Sequence, residues 1–411
     1  MSAAPFVIVG AGQAGLQLAA SLRQNGYDEP ILLVGDEGHL PYQRPPLSKA
    51  YLSDGKTPDS LFLRPEAFLV QNRIDFLGDR PVAGLDLAGG RVTFADGGSL
   101  AFSRLALATG TRNRPLPVPG ADLDGVTGLR TIADAHALRD ALAAAEDVVV
   151  IGAGFIGLEV AATAAKRGHR VTVIEAAGRV MQRAVSPEVS AFFQASHEAA
   201  GVRFLMPAGV ARIVGEAGRV VAVETVAGER IPASLVVVGI GVIPNAELAA
   251  AAGLAVGNGI VVDRHLATAD PRVFALGDAA LHPSRWAMAP VRIESVQNAT
   301  DQAKSLAAWV AGGDPVPYEA VPWFWSDQGP LKLQIAGLGL GIDRTVVRGT
   351  PEAGAFSVFG FRDGRLVAVE SVSKPADHMI GRRLLDAGAA LSPEEAADPE
   401  FDLKARAAAA R

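Results

Sequence analysis

Short apolar runs that stop at glycine set the rhythm of this chain. Phe6-Val7-Ile8-Val9 ends at Gly10, and an unbroken run of that kind predicts a strand covered on both faces, as in a parallel sheet. Leu16, Leu18, Ala19 and Leu22 follow at helical spacing until Asn25-Gly26 stops the helix, and Ile31-Leu32-Leu33-Val34 is the next strand. The same order returns later. Val148-Val149-Val150-Ile151 is a strand, Gly152 to Gly157 a glycine turn and Leu158 to Lys166 an alanine-rich helix. Arg167-Gly168-His169 closes that helix and Val171-Thr172-Val173-Ile174 is the strand after it. Two βαβ units predict two nucleotide-binding domains.

Three further strands end in tight turns: Leu105–Thr109 at Gly110, Leu235–Ile240 at Gly241, and Val273–Leu276 at Gly277-Asp278. From about Pro315 the pattern changes. Trp323, Trp325, the alternating Phe356-Ser357-Val358-Phe359 and the turn Arg362-Asp363-Gly364-Arg365 predict an α+β domain with an antiparallel sheet. The alanine-rich tail from Ala405 reads as a frayed helix or a disordered end. The predicted class is α/β, two Rossmann-like dinucleotide-binding domains plus a C-terminal α+β domain.

Composition narrows the chemistry. The formal net charge of −6 argues against a nucleic-acid binder, whose footprint is basic. With no cysteine in 411 residues, structural disulfides, thiolate-held metals and a redox C-x-x-C are all excluded within the chain. Scattered histidines such as His136, His169 and His197 show no ligand spacing, so no metal site is expected. Met1–Pro5 lacks a basic n-region, and the longest apolar stretches, Val148–Leu158 and Ser234–Asn245, carry glycines and fall short of about 18 residues. No membrane association and a cytoplasmic location are therefore expected.

The glycine turns carry the strongest chemical signal. Gly10-Ala11-Gly12-Gln13-Ala14-Gly15 is a G-x-G-x-x-G between a strand and a helix. Its glycines permit the tight turn and let backbone N–H groups approach a pyrophosphate at the positive helix end. A ligand-free glycine turn is the bland alternative. Gly152-Ala153-Gly154-Phe155-Ile156-Gly157 repeats the fingerprint, and Glu175, closing the following strand, stands where a carboxylate accepts from an adenosine ribose 2′-OH. Its charge would also repel a 2′-phosphate and so favour NADH, with Arg179 and Arg183 close by to soften that preference. In the first unit Gly35 takes the place of Glu175, and Asp36 is the candidate for the ribose, with loop capping an equal reading. Two dinucleotide folds imply two dinucleotides. FAD with NAD(P)H is the economical pair, since a flavin accepts a hydride and releases electrons singly.

At this point the chain resembles the ferredoxin reductases of bacterial cytochrome P450 and ring-dioxygenase systems, nearly end to end. The most specific stretches are Pro41-Tyr42-Gln43-Arg44-Pro45-Pro46-Leu47-Ser48-Lys49, Glu294-Ser295-Val296-Gln297-Asn298-Ala299 and Pro322-Trp323-Phe324-Trp325-Ser326-Asp327-Gln328. Ala108-Thr109-Gly110 and Leu276-Gly277-Asp278 belong to the wider glutathione-reductase-like superfamily. The resemblance implies FAD and NADH as cofactors, a [2Fe–2S] ferredoxin as partner, and a monomer or weak dimer. It implies an FAD domain of residues 1–112 and 242–314, an NAD domain of 113–241 and a C-terminal domain of 315–411.

It also implies roles. Lys49 would stand beside the flavin N5 edge, with Glu159 pairing it or touching the nicotinamide amide. Arg44 and Pro45 would line the FAD site with Ala108, Thr109 and Gly110. Asp278 would hold the ribityl chain, the Val296 N–H would reach the pyrimidine end, and Trp325 would stack near the ring. Gly241 would meet the nicotinamide side. For both tryptophans core packing is an equal reading. Arg292, Lys332, Lys374, Arg382 and Arg383 are the candidate docking cations for an acidic ferredoxin, although scattered surface charge explains any one of them. Two alternatives share the folds: an NADH oxidase or monodehydroascorbate-type reductase, and a non-enzymatic NADH-sensing flavoprotein resembling apoptosis-inducing factor.

Overall fold

Strands that are apolar along their whole length need cover on both faces, and in the computed structural model the runs read above become strands of two parallel sheets, all inner except Val273–Ala275 at one edge. The structure describes residues 4–53 and 56–410. The chain forms two compact units. The first runs to Gln43 and takes in Asp59–Arg112 and Ile243–Pro322; the second takes in Arg44–Pro58, Asn113–Val242 and the chain from Trp323 onward.

In the first unit the sheet order is Val273–Ala275, Arg104–Leu107, Phe6–Val9, Ile31–Val34 and Ile74–Leu77, all parallel. Phe6, Val7 and Ile8 are completely buried. The helices Gln13–Gln24 and Val296–Val310 pack together beside this sheet, placing Leu18, Leu22, Ala303 and Leu306 in one core with its strands.

The second unit repeats the plan. Its parallel sheet runs Arg203–Leu205, Arg170–Ile174, Asp147–Ile151, Leu235–Val238 and Val126–Thr127. Also within this unit is an antiparallel sheet ordered Trp323–Gln328, Leu331–Gly337, Arg365–Val372, Ala355–Arg362 and Arg344–Thr350, with the helix Pro375–Asp386 against it. The stretch Arg44–Pro58, left inside the first domain by the sequence reading, belongs to this second unit.

The tail corrects one expectation. Leu403–Ala409 is a helix, capped by Asp402, and it packs Leu403 and Ala407 into a core with Phe359, Phe361 and Leu384. One leucine and one alanine a helical turn apart are too slight a stripe to be read in a run of alanines.

Candidate functional site

Both glycine turns end at helices whose first N–H groups have no side-chain cap. Gly12 precedes Gln13–Gln24 and Gly154 precedes Phe155–Lys166; neither helix has a cap bond or an acid in its first turn. Ser, Thr and Asp side chains cap Ile132–Ala144, Pro187–Ala199, Val296–Val310 and Leu403–Ala409. Uncapped N–H groups at a positive helix end are a place for an anion. The glycines fit that use. A Cβ on Gly10 would lie 2.1 Å from the Ala108 carbonyl oxygen and one on Gly152 2.5 Å from that of Gly239. Cβ atoms on Gly15 and Gly157 would lie 1.9 and 2.2 Å from the carbonyls of Gly10 and Gly152, whereas at Gly12 and Gly154 a Cβ would meet nothing. The turns are therefore packed tight behind and left open in front, as a pyrophosphate requires.

The rest of the first unit's set gathers on the ends of its strands. Ala108 is buried, and the Thr109–Gly110 turn is locked to Asn245: Thr109 Oγ1 donates to the Asn245 carbonyl (2.6 Å), and Asn245 returns its side-chain amide to the Thr109 carbonyl (2.9 Å). Asp278 lies in a 3-10 turn after Val273–Ala275, and Ala14 packs 3.0 Å from where a Cβ on Gly277 would stand. Val296 opens its helix behind Ser295, which accepts from the Asn298 N–H; Asn298 is fixed in turn by Tyr318 Oη at 3.0 Å. Asp36 is exposed. Its neighbour Glu37, half-buried and accepting from the buried Tyr42 hydroxyl, is a further acid that the sequence reading missed.

Arg292 is corrected as a docking cation. Its side chain is 7% exposed, and it donates to Glu294 at 2.6 Å and to the Asp278 and Asn258 carbonyls.

In the second unit the matched lysine and acid meet. Lys49 Nζ lies 2.8 Å from Glu159 Oε2, and the pair is 19% and 4% exposed. Glu159 also accepts from the Ser48 hydroxyl and, on Oε1, from Ser326 Oγ at 2.6 Å. Three donors on one carboxylate satisfy a charge that burial would otherwise make costly. Period two in Trp323–Gln328 explains the supply. Phe324 packs on Phe155 (4.6 Å between centroids), Ser326 meets Glu159, and Gln328 meets His197 at 2.8 Å. Trp323 and Trp325 take the opposite side of the strand, 5.6 Å apart, with Arg382 4.8 Å over Trp323. Burial lowers the pKa of His197. Arg44 donates to the Arg130 carbonyl at 2.8 Å, and Pro45 begins the short 3-10 turn that leads to Lys49.

The residues expected around the flavin are thus divided. Arg44, Pro45, Lys49 and Trp325 belong to the second unit and the others to the first. Ser48, Ser326 and Gln328 sat inside quoted stretches, but which strand face each would take was not legible.

Glu175 follows the strand Arg170–Ile174 directly. Its two oxygens accept from Ala153 N–H and Ala177 N–H, both at 2.7 Å. Arg179 spends its guanidinium on the carbonyls of Gln182, Val185 and Ser186, whereas Arg183 is exposed. Gly241 has φ +101° and lies near Arg183, whose Nη2 would stand 3.7 Å from a Cβ there. Ile156, in the first turn of its helix, is 41% exposed. Among the described residues no helix is long and apolar enough to cross a membrane, and no cluster of His, Asp and Glu could hold a metal ion.

Comparison with known proteins agrees with this architecture. The family model described as pyridine nucleotide-disulphide oxidoreductase matches residues 4–303, and a reductase C-terminal model matches 323–407. Rhodocoxin reductase from Rhodococcus erythropolis is 50% identical over 399 residues, 97% of this chain and 93% of that one. The crystal structure of the ferredoxin reductase for the CYP199A2 system from Rhodopseudomonas palustris superposes with a TM-score of 0.97 at 48% identity, covering 98% of this chain and 100% of that one. The reductase of a covalent putidaredoxin reductase–putidaredoxin complex gives 0.96 at 42% identity, covering 100% and 99%. No disulfide chemistry is open to a chain without cysteine, whatever the family's name suggests. The chain belongs to the pyridine nucleotide-disulphide oxidoreductase family and, within it, to the group that ends in a reductase C-terminal domain.

Proposed function

We propose that the chain is an FAD-dependent NADH:ferredoxin oxidoreductase, taking a hydride from NADH and passing single electrons to a [2Fe–2S] ferredoxin that serves a cytochrome P450 or ring-hydroxylating oxygenase. The observation that carries it is the pair of uncapped helix starts behind glycine turns, one in each unit. FAD, when bound, supplies the exchange between one two-electron step and two one-electron steps. The protein's part is to bind, orient and tune.

Gly10, Gly12, Ala14 and Gly15 would hold the FAD pyrophosphate, with Asp36 or Glu37 for its ribose. Ala108, Thr109, Gly110, Asp278, Val296, Arg44, Pro45 and Trp325 would serve the flavin half. Gly152, Gly154, Ile156 and Gly157 would hold the NADH pyrophosphate, Glu175 its adenosine ribose, and Arg183 and Gly241 the remainder. Lys49 would supply a cation to offset the negative charge that a reduced flavin gathers. Glu159 keeps that ammonium in place at 2.8 Å, its own charge satisfied by Ser48 and Ser326.

The acceptor rests on the relatives, which are named for ferredoxins and their oxygenase systems. The exposed cations Lys332 and Arg383, with the half-buried Lys374 and Arg382, are the basic groups offered to an acidic partner. A cytoplasmic monomer or weak dimer is the form proposed.

The test is NADH-dependent cytochrome c reduction by purified protein, with and without a [2Fe–2S] ferredoxin and repeated with NADPH. A large ferredoxin-dependent rate with NADH is expected. NADH oxidation that several such ferredoxins do not stimulate would overturn the acceptor, fast oxygen turnover then indicating an oxidase and NADH-induced dimerisation a sensor.

A further inference from the structure

We propose that Glu370, on the C-terminal sheet, is a positioning residue for NADH: it fixes the loop after Glu175 and thereby helps to set dinucleotide selectivity. The inference rests on the reading of Glu175 as the ribose acceptor.

The loop between Glu175 and Ser186 is tied at both ends. At its start Glu175 takes the Ala153 and Ala177 N–H groups. In the middle Met181 stands at φ +50°, unfavourable for a non-glycine residue, so its surroundings must hold it there. Its N–H donates to the Ala153 carbonyl at 2.9 Å, and its sulfur accepts from Gln328 Nε2 at 3.4 Å. Ser190 Oγ donates to the Val180 carbonyl at 2.6 Å.

The far end is tied by Glu370. Both of its oxygens lie 3.0 Å from the Ser186 N–H, and Oε2 accepts from Ser186 Oγ at 2.6 Å. Ser186 also caps the helix Pro187–Ala199 through the Val189 N–H. One carboxylate therefore fixes the junction where loop becomes helix, and Arg179 reaches across to the same junction.

A strut alone does not need a charge in this place. Glu370 is 3% exposed, and its cross-strand neighbours Ile335 and Val358 are apolar. Val369 points to the other face, against Gly381 of Pro375–Asp386, so Asp377 and Arg382 of that helix lie across the sheet. The charged groups acting on Glu370 are Arg179 from the loop and Glu188 from the helix Pro187–Ala199.

The consequence concerns selectivity. While the junction holds, Arg179 is bound to three backbone carbonyls and is unavailable to a 2′-phosphate. Loosening it would weaken the Glu175 seat for NADH and release Arg179 toward NADPH. Burial pushes Glu370 up to about 7, against the pull of the Ser186 donors. As pH falls through that value the carboxylate gains a proton and loses accepting capacity, so KM for NADH should rise.

The test uses the holoprotein with ferricyanide as acceptor, so that ferredoxin plays no part. At about pH 8, Glu370→Gln should raise KM for NADH about tenfold, leave kcat within about twofold, and move the NADPH-to-NADH ratio of kcat/KM upward. The wild-type KM should climb toward the variant's between about pH 8 and pH 6, while that of the variant stays flat. Unchanged KM and selectivity with only a lowered melting temperature would make Glu370 a plain strut and overturn the proposal. If Glu370→Gln does not fold, Ser186→Ala and the wild-type profile decide, and a flat wild-type KM overturns it. A wild type that reduces ferricyanide with NADH but fails these tests sinks this inference alone; one that cannot oxidise NADH sinks the dinucleotide reading as well.

Discussion

In the second unit the strand Arg170–Ile174 runs into Glu175, whose carboxylate collects two backbone N–H groups. In the first unit the strand Ile31–Val34 runs into Gly35, where a Cβ would stand 2.9 Å from the Cβ of Ala11. The glycine turns before these points match in sequence pattern, helix start and crowding. The difference separates what backbone can do from what only a side chain can do. A helix N-terminus holds any pyrophosphate, so both turns can be the same. Choosing between adenosine dinucleotides needs a charged group in a fixed place. The second unit has one, whereas the first offers an exposed Asp36 and a Glu37 held by Tyr42.

The largest effect should come from filling the open glycines. A Cβ at Gly12 or Gly154 meets nothing, and both residues have extended φ/ψ that an aspartate adopts without strain. Gly12→Asp and Gly154→Asp should therefore fold, each new carboxylate capping its own helix and occupying the phosphate position. Gly12→Asp is expected to purify without FAD. Gly154→Asp should keep a full flavin spectrum while kcat/KM for NADH falls by roughly 100-fold or more. If either variant loses the other unit's dinucleotide instead, the assignment of one to each unit is wrong.

Next in size is the buried pair. Glu159→Ala leaves Lys49 with the Pro45 carbonyl (3.2 Å) in place of its ion pair and removes the carboxylate that accepts from Ser48 and Ser326, which should cost about 3 kcal/mol in urea unfolding. Glu159→Gln, which keeps an acceptor, should cost about half as much. Equal losses would mean that the charge of Glu159 carries the whole effect and that a neutral acceptor of the same shape recovers none of it.

Legibility followed the same division. Strands, glycine turns and helix stops could be read because they rest on local periodicity and on backbone chemistry at fixed positions. The position of Glu175 was legible because it directly follows a strand at a set distance from the turn. Ser326, Gln328 and Glu370 were not. Their partners depend on which face of an antiparallel sheet meets which helix, and the register that decides this is set by strands far away in the chain. The packed tail Leu403–Ala409 was missed because alanine gives no periodic contrast. Arg292 was mistaken for a surface cation because burial beside Glu294 leaves no mark on the sequence.

A smaller effect tests the acid itself. Glu175→Gln keeps the shape but loses the charge, and it cannot accept from both Ala153 and Ala177 without turning a donor toward one of them. KM for NADH should rise about tenfold and the preference over NADPH should relax by a similar factor. The relaxation should stop there, because Arg179 remains bound to the carbonyls of its own loop. Full NADPH activity in this single variant would show that Arg179 is free after all or that the exposed Arg183 takes the 2′-phosphate in its place.

The smallest expected effect distinguishes the units by pH. Burial lowers His282 in the first unit to about 4, and His378 in the second likewise. A histidine held neutral contributes stability that is present above the unfolded value of about 6.5 and lost as pH falls toward the folded one. From about pH 7 to pH 5.5 each should forfeit about 1 kcal/mol. The second unit also carries Glu370, raised to about 7 by burial. A carboxyl with a raised folded value gains a proton over the same interval and becomes more favourable to the folded state as pH falls, which offsets His378. His197 in the second unit is lowered by burial as well, so Glu370 offsets part of that unit's loss, whereas no raised carboxyl offsets His282 in the first. His282→Gln should therefore flatten the fall of the urea midpoint between these pH values, while Glu370→Gln should steepen it. If the two variants change the slope in the same direction, the buried groups do not titrate in opposition and the contrast between the units ends at their glycine turns.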